Sequence, residues 1–123
     1  MKCTCPFCDF SGTILFEDHL AFVTDDSYPV SPGHLLVITK RHISSFFETS
    51  PEEKESIMYL METSVEFLKE KFEPDGFNIG VNIGEHAGQS IPHVHIHIIP
   101  RYKGDMVNPK GGVRGVIPER QSY

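Results

Sequence analysis

A chain of 123 residues, 39% apolar and 23% charged, has the composition of one globular domain with enough core to fold without disulfide staples. Its formal charge of −6 argues against a nucleic-acid polymer as partner, and no apolar run approaches the roughly 20 residues of a membrane span. No signal-peptide pattern opens the chain, so the expected compartment is the cytoplasm, where thiols stay reduced.

Three cysteines, Cys3, Cys5 and Cys8, fall within the first eight residues. An odd number so tightly packed is poor disulfide material, whereas Cys5-x-x-Cys8 has metal-ligand spacing. By itself that pair is equally a redox pair or two inert thiols. Thr13–Glu17 and His19–Thr24 then read as a hairpin turning near Asp18, and Leu35–Thr39 as a short apolar strand bounded by Gly33 and Lys40-Arg41. Ser50-Pro51-Glu52-Glu53 is a helix start, with Ser50 as N-cap, Pro51 at the first helical position and Glu53 closing a capping box. The helix runs to about Phe72, and Ile57, Leu60, Met61, Ser64, Val65 and Leu68 form its inward stripe. Glu73-Pro74-Asp75-Gly76 stops it. Phe77–Ile83 alternates apolar with polar or small residues, as a half-buried strand does, and Asn78, Gly80 and Asn82 share the second face.

The segment 84–100 carries the chemistry. Gly84-Glu85-His86-Ala87-Gly88-Gln89-Ser90 is a glycine-punctuated loop whose N–H groups, with the Gln89 and Ser90 side chains, suit phosphate oxygens. It leads into a strand-like run over Pro92–Pro100 in which His93, His95 and His97 alternate with Val94 and Ile96. On an extended strand the three imidazoles share one face. At roughly 3.3 Å per residue the outer two lie about 13 Å apart, too far for one ion with zinc–nitrogen bonds of about 2.0–2.1 Å. A central nucleophile, His95, flanked by groups that orient it or handle protons, fits better, because neutral imidazole is abundant at neutral pH and can form a covalent intermediate.

Gly88-Gln89-Ser90-Ile91-Pro92-His93-Val94-His95-Ile96-His97-Ile98-Ile99-Pro100-Arg101 resembles the signature of the histidine-triad (HIT) superfamily of nucleotide hydrolases and transferases. Tyr28–Ile43, with its Pro32-Gly33-His34 turn and Arg41-His42 pair, resembles the family's second marker, and Cys5-Pro6-Phe7-Cys8 is similar to the start of many bacterial members. The resemblance implies an α+β fold: an antiparallel sheet of about five strands, one long helix and one short helix. The domain would span residues 1–123, with a main body over about 5–103 and a tail over 104–123.

The resemblance also assigns roles. His95 would attack the α-phosphorus, with His97 as proton handler or phosphate contact and His93 as orienting group. Asp26 would bind ribose, Asn82 phosphate or ribose, Gln89 and Ser90 phosphoryl oxygens, and Phe7 and Phe10 would sit at the base; His34 would lie near the site, with His19 and His86 on the surface. Related bacterial members complete a Cys2His2 zinc site at the positions of His42 and His93, beside Cys5 and Cys8. Arg101 and Arg114 are either polyphosphate contacts or surface ion pairs, and Mg²⁺ would accompany a polyphosphate substrate. The tail resembles the diadenosine-polyphosphate hydrolase branch, and members pair as homodimers. Two rivals stand beside that reading: a purine nucleoside phosphoramidase, and a non-catalytic nucleotide- or zinc-binding regulator.

Overall fold

The computed structural model describes residues 5–123, so Cys3, to which no role is assigned, lies outside the described residues. Five strands, β1 (Phe16–Glu17), β2 (Ala21–Asp25), β3 (Leu35–Thr39), β4 (Gly76–Val81) and β5 (His95–Arg101), form one sheet in the order β1-β2-β3-β5-β4 with every pair antiparallel. A single α-helix among the described residues, α1 (Pro51–Phe72), covers one face. The expected short helix takes the form of 3-10 turns, the first at Phe46–Glu48.

Alternation along the strands divides the sheet into a helix face and a site face. Val23, Leu35, Val37, Ile96 and Ile98 pack against Ile57, Leu60 and Leu68 of α1, and burying each such side chain contributes about 1.5–3 kcal/mol. Phe22, Leu36 and Ile38 point the other way, under Phe7 and Phe10 of the N-terminal segment. Register then decides where the histidines go: His95 lies opposite Ile38, and His97 opposite Leu36 on one side and Gly80 on the other.

The capping box at Ser50 and Glu53 forms as its spacing predicts, with the Glu53 N–H donating to Ser50 Oγ at 3.0 Å and the Ser50 N–H to Glu53 Oε1 at 2.8 Å. Strand limits differ from the reading of the sequence. The first hairpin arm shrinks to Phe16–Glu17, because Asp18 accepts the Leu20 and Ala21 N–H groups, both at 2.9 Å, and forces the turn. β4 ends at Val81 rather than Ile83. β5 starts at His95 rather than Pro92, because the His93 N–H turns back to the Ile91 carbonyl and the Val94 N–H bonds Ile43.

Candidate active site

The break before β5 separates the three histidines. His93 is wholly buried, and its Nε2–H donates to the Thr39 carbonyl at 2.6 Å, which leaves the Nδ1 lone pair facing Cys5 Sγ (3.5 Å), Cys8 Sγ (3.6 Å) and His42 Nδ1 (3.1 Å). His42 Nδ1 lies 3.0 Å from Cys8 Sγ. A tetrahedral zinc with bonds of about 2.3 Å to sulfur and 2.0–2.1 Å to nitrogen spaces its S and N ligands about 3.5 Å apart and its N ligands about 3.3 Å apart. The four residues fit that ion in donor set and spacing. Beside them, the Arg41 guanidinium makes two hydrogen bonds to the buried Glu53 carboxylate, 2.7 and 3.2 Å, and so ties His42 to the start of α1. That hydrogen bond also holds the Glu53 carboxyl below its ordinary value despite its burial.

His95 is oriented by the main chain. Its Nδ1 lies 2.8 Å from the His93 carbonyl, which can only accept, so Nδ1 carries the ring proton and Nε2 keeps its lone pair. The edge of Phe7 packs against both rings, 5.1 Å from His95 and 5.8 Å from His93. His93 therefore orients the nucleophile candidate through its carbonyl, while its imidazole faces Cys5, Cys8 and His42.

His97 belongs to a different set. His34, buried at the start of β3, places Nε2 2.9 Å from His97 Nδ1, and Asp26 Oδ2 lies 3.4 Å from the first atom and 3.7 Å from the second. The turn that delivers His34 is tightly determined. Gly33 adopts φ +89°, the Tyr28 N–H donates to Asp26 Oδ1 at 2.8 Å, and the Val30 N–H donates to His34 Nδ1 at 3.0 Å. The Ser31 hydroxyl of the same turn donates to the Pro100 carbonyl, and the Tyr102 hydroxyl donates to the turn's Pro32 carbonyl. Burial lowers the pKa of both His34 and His97; His95 and His34 reinforce the effect at His97, and Asp26 partly offsets it at each. By distance alone Asp26, His34 and His97 could hold an ion. However, a metal on His34 Nε2 would move the ring proton to Nδ1, directly against the Val30 N–H.

A cavity of about 800 Å³ opens over His95 and His97, walled by Phe7, Phe10 and Leu36 and rimmed by Asp26, Asn82 and Ser90. A second lobe, about 550 Å³, continues past Asp26, Asn82 and His97 to His34, Ile79, Val113 and Val116. Most residues singled out from the sequence thus converge: Asp26, His34, Asn82, Ser90, Phe7, Phe10, His95 and His97. Three do not. The Gln89 amide staples its own loop, accepting the Gly84 N–H at 2.9 Å and donating to the Ser44 and Ile91 carbonyls. Arg101 forks onto Asp105 and reaches Asn78, and Arg114 stacks on Tyr123 while donating to the Arg120 carbonyl. His19 and His86 are exposed, as expected. The sequence gives no hint of the Val30 amide or of the His93 and Thr39 carbonyls, since main-chain groups leave no residue signature.

Residues 10–104 match the HIT domain family. A Mycobacterium tuberculosis protein named AP-4-A phosphorylase is 32% identical over 114 residues, covering 90% of this chain but 58% of the relative, so the chain spans under two thirds of that protein's length. Protein hit of Bacillus subtilis is 38% identical over 107 residues, covering 82% of this chain and 74% of its own. Among solved structures, a Zn-bound histidine triad family protein from Mycobacterium smegmatis superposes with a TM-score of 0.77 at 30% identity, covering 85% of this chain and 80% of the other.

Proposed function

Because this chain belongs to the HIT domain family, we propose that it is a nucleotide hydrolase that transfers a nucleotidyl group through His95, with dinucleoside polyphosphates of the diadenosine tetraphosphate type as substrates. One observation carries the reading: the His93 carbonyl fixes the His95 tautomer, so that a lone pair on Nε2 stands at the floor of a nucleotide-sized cavity. In the proposed reaction Nε2 bonds the α-phosphorus as the bond to the leaving phosphate breaks. Water then bonds the same phosphorus and gives up a proton to solution as the phosphorus–nitrogen bond breaks and returns its pair to Nε2. Splitting one difficult displacement in two is the advantage of such an intermediate. Phe7 and Phe10 would clasp the base, Asp26 the ribose hydroxyls, and Asn82 and Ser90 the phosphoryl oxygens.

Cys5, Cys8, His42 and His93 would hold zinc as a closed structural centre. It would fasten the N-terminal segment to the strand and supply no group to the reaction. The name of the mycobacterial relative adds inorganic phosphate as an alternative acceptor to water. A phosphoramidase is the second reading, and a specific observation favours it. Among the described residues no Lys or Arg lines either lobe, so a phosphate chain would bring its positive charge as bound Mg²⁺.

Incubation with diadenosine tetraphosphate and Mg²⁺, with and without inorganic phosphate, tests the proposal. The expected products are AMP and ATP in water, and an alkaline denaturing quench, in which a phosphorus–imidazole bond survives, should trap an AMP adduct on His95. ADP in place of AMP on adding phosphate would mark a phosphorylase. Nucleotide binding without turnover of this substrate or of an adenosine phosphoramidate would leave a binding protein.

A further inference from the structure

We propose that Cys5 and Cys8 form a redox-sensitive clasp on the nucleotide cavity. A peroxide joins them as a disulfide, dismantles the cluster they make with His42 and His93, and releases the segment that carries Phe7 and Phe10. The inference rests on the proposed nucleotide site and adds its regulation.

Side chains fasten this segment. Among the described residues no hydrogen bond from the main chain of residues 5–12 reaches the sheet, and the Cys8 N–H closes a turn onto the Cys5 carbonyl at 3.2 Å. Bonding to the sheet begins at Thr13, whose carbonyl accepts the Thr24 hydroxyl at 2.8 Å, and at Leu15, whose N–H donates to the Val23 carbonyl at 2.8 Å. Two kinds of anchor act on residues 5–10. Cys5 and Cys8 turn their sulfurs to the His93 imidazole, and Cys8 also to His42. Phe7 lays its edge on His93 and His95, and Phe10 packs on Phe22 with ring centroids 5.1 Å apart. Those two rings, with Pro6, Ser11 and Gly12, make one side of the cavity over His95. The thiols therefore hold the wall on which the base would rest.

The cluster is open on one side. Cys5 and His93 are buried, whereas Cys8 is half-buried and His42 is exposed, so a small oxidant meets Cys8 first. The thiolate is the reactive form of cysteine, and coordination to a cation deprotonates a thiol outright. The Cys8 thiolate bonds one oxygen of the peroxide as the oxygen–oxygen bond breaks, which gives a sulfenic acid and hydroxide. Cys5 Sγ lies within 4.8 Å of Cys8 Sγ, and its thiolate then bonds the Cys8 sulfur and expels a second hydroxide. The sulfurs have lost two electrons, the peroxide has gained them, and both hydroxides take protons from solvent to become water. Without thiolate donors only His42 and His93 remain, too few for a closed zinc centre. The segment keeps the packing of its rings but loses the tethers on both sides of Phe7. Exchange with a dithiol reductant reverses the step.

The zinc-loaded full chain, treated with hydrogen peroxide, tests the clasp. A chromophoric chelator should register about one zinc released per chain. A Cys3→Ser chain should respond alike, losing both alkylatable thiols while still running as a single chain, which places the bridge between Cys5 and Cys8. Chymotrypsin should then cut after Phe7 or Phe10 and leave the rest of the chain intact. Calorimetry should show AMP binding about 10–100-fold more weakly, the range lost on removing stacking aromatics, and dithiothreitol with zinc should restore it. Because coupling is reciprocal, saturating AMP should tighten zinc on the reduced chain by the same factor as zinc tightens AMP. A wild type that takes up no zinc or keeps it under peroxide would overturn the inference and leave the proposed function standing. So would AMP affinity unchanged within about twofold once the thiols are oxidised, or cleavage throughout the chain. A chain that binds no AMP in either state would overturn the proposed function, while zinc release and the cut at Phe10 would still decide the clasp.

Discussion

The His93 carbonyl accepts the Nδ1–H of His95 at 2.8 Å, while the imidazole of the same His93 faces Cys5, Cys8 and His42. One residue thereby joins two centres, its ring in the candidate zinc cluster and its peptide beneath the candidate nucleophile. Fixing His93 on the metal side fixes the lone pair of His95 on the cavity side.

The first prediction concerns that lone pair. His95→Ala should lower kcat by about 10⁴-fold while the Kd for AMP stays within about tenfold, the pattern of an interaction made in the transition state alone. Rapid-quench kinetics and calorimetric titration measure the two quantities. Weakened binding with near-normal turnover at saturation would remove His95 from the nucleophile's role.

The second concerns the metal. Elemental analysis should find about one zinc per chain, and Cys8→Ser should release it. At free zinc 100 times its Kd the ion contributes about 2.7 kcal/mol, which corresponds to a loss in Tm of roughly 10 °C for a domain of this size. A zinc-free wild type melting at the same temperature as Cys8→Ser would contradict the assignment.

How much of this was legible in the sequence depended on whether side chains or main chain set the structure. α1 could be read to the residue because Ser50, Pro51 and Glu53 are local signals acting within one turn. The convergence of Asp26, His34, His95 and His97 followed from family motifs in the right order. Alternation misled at His93, where hydrogen bonds to Ile91 and Ile43 carbonyls divert the backbone before the strand begins. Gln89 looked like a phosphate ligand because no residue signal announced that main-chain groups, two in its own loop and one at the distant Ser44, would occupy its amide. The partner of Arg101, by contrast, stands four residues on at Asp105, whose carboxyl the guanidinium pulls down to about 2.

The third prediction is the shape of stability against pH. Burial holds the folded pKa of His34 and His97 below the ordinary 6.5, so the unfolded chain binds more protons once the pH drops below that value. Stability should therefore be level above about 6.5 and fall as pH drops toward the folded values. Glu53 adds a separate window: the Arg41 hydrogen bonds depress its folded pKa, so its contribution is full above 4.5 and is lost as the pH falls through that lowered value. Urea unfolding from pH 8 down to about 2 should show both declines, and stability that rose between pH 7 and 6 would contradict the histidine part.

The fourth prediction places the origin of the site's order in Gly33, one residue before His34. Its φ of +89° lies where L side chains rarely go, and a Cβ built there would stand 2.9 Å from Leu68 Cδ2 and 3.2 Å from the Phe72 ring of α1. Gly33→Ala should thus destabilise the fold by about 2–5 kcal/mol, combining left-handed strain of about 1–2 kcal/mol with overpacking of about 1–3 kcal/mol. The damage should reach the chemistry too, because relief of either clash moves the turn on which the Val30 N–H and His34 Nδ1 meet at 3.0 Å. Leu68→Ala in the same chain opens the space beside the new methyl and removes one clash while leaving the φ strain. If crowding displaces the turn, the double variant should recover kcat while remaining unstable. If backbone strain alone displaces it, kcat should stay low. Chemical denaturation and steady-state kinetics on the two variants separate these outcomes, and a fully stable, fully active Gly33→Ala would show that the turn tolerates a side chain after all.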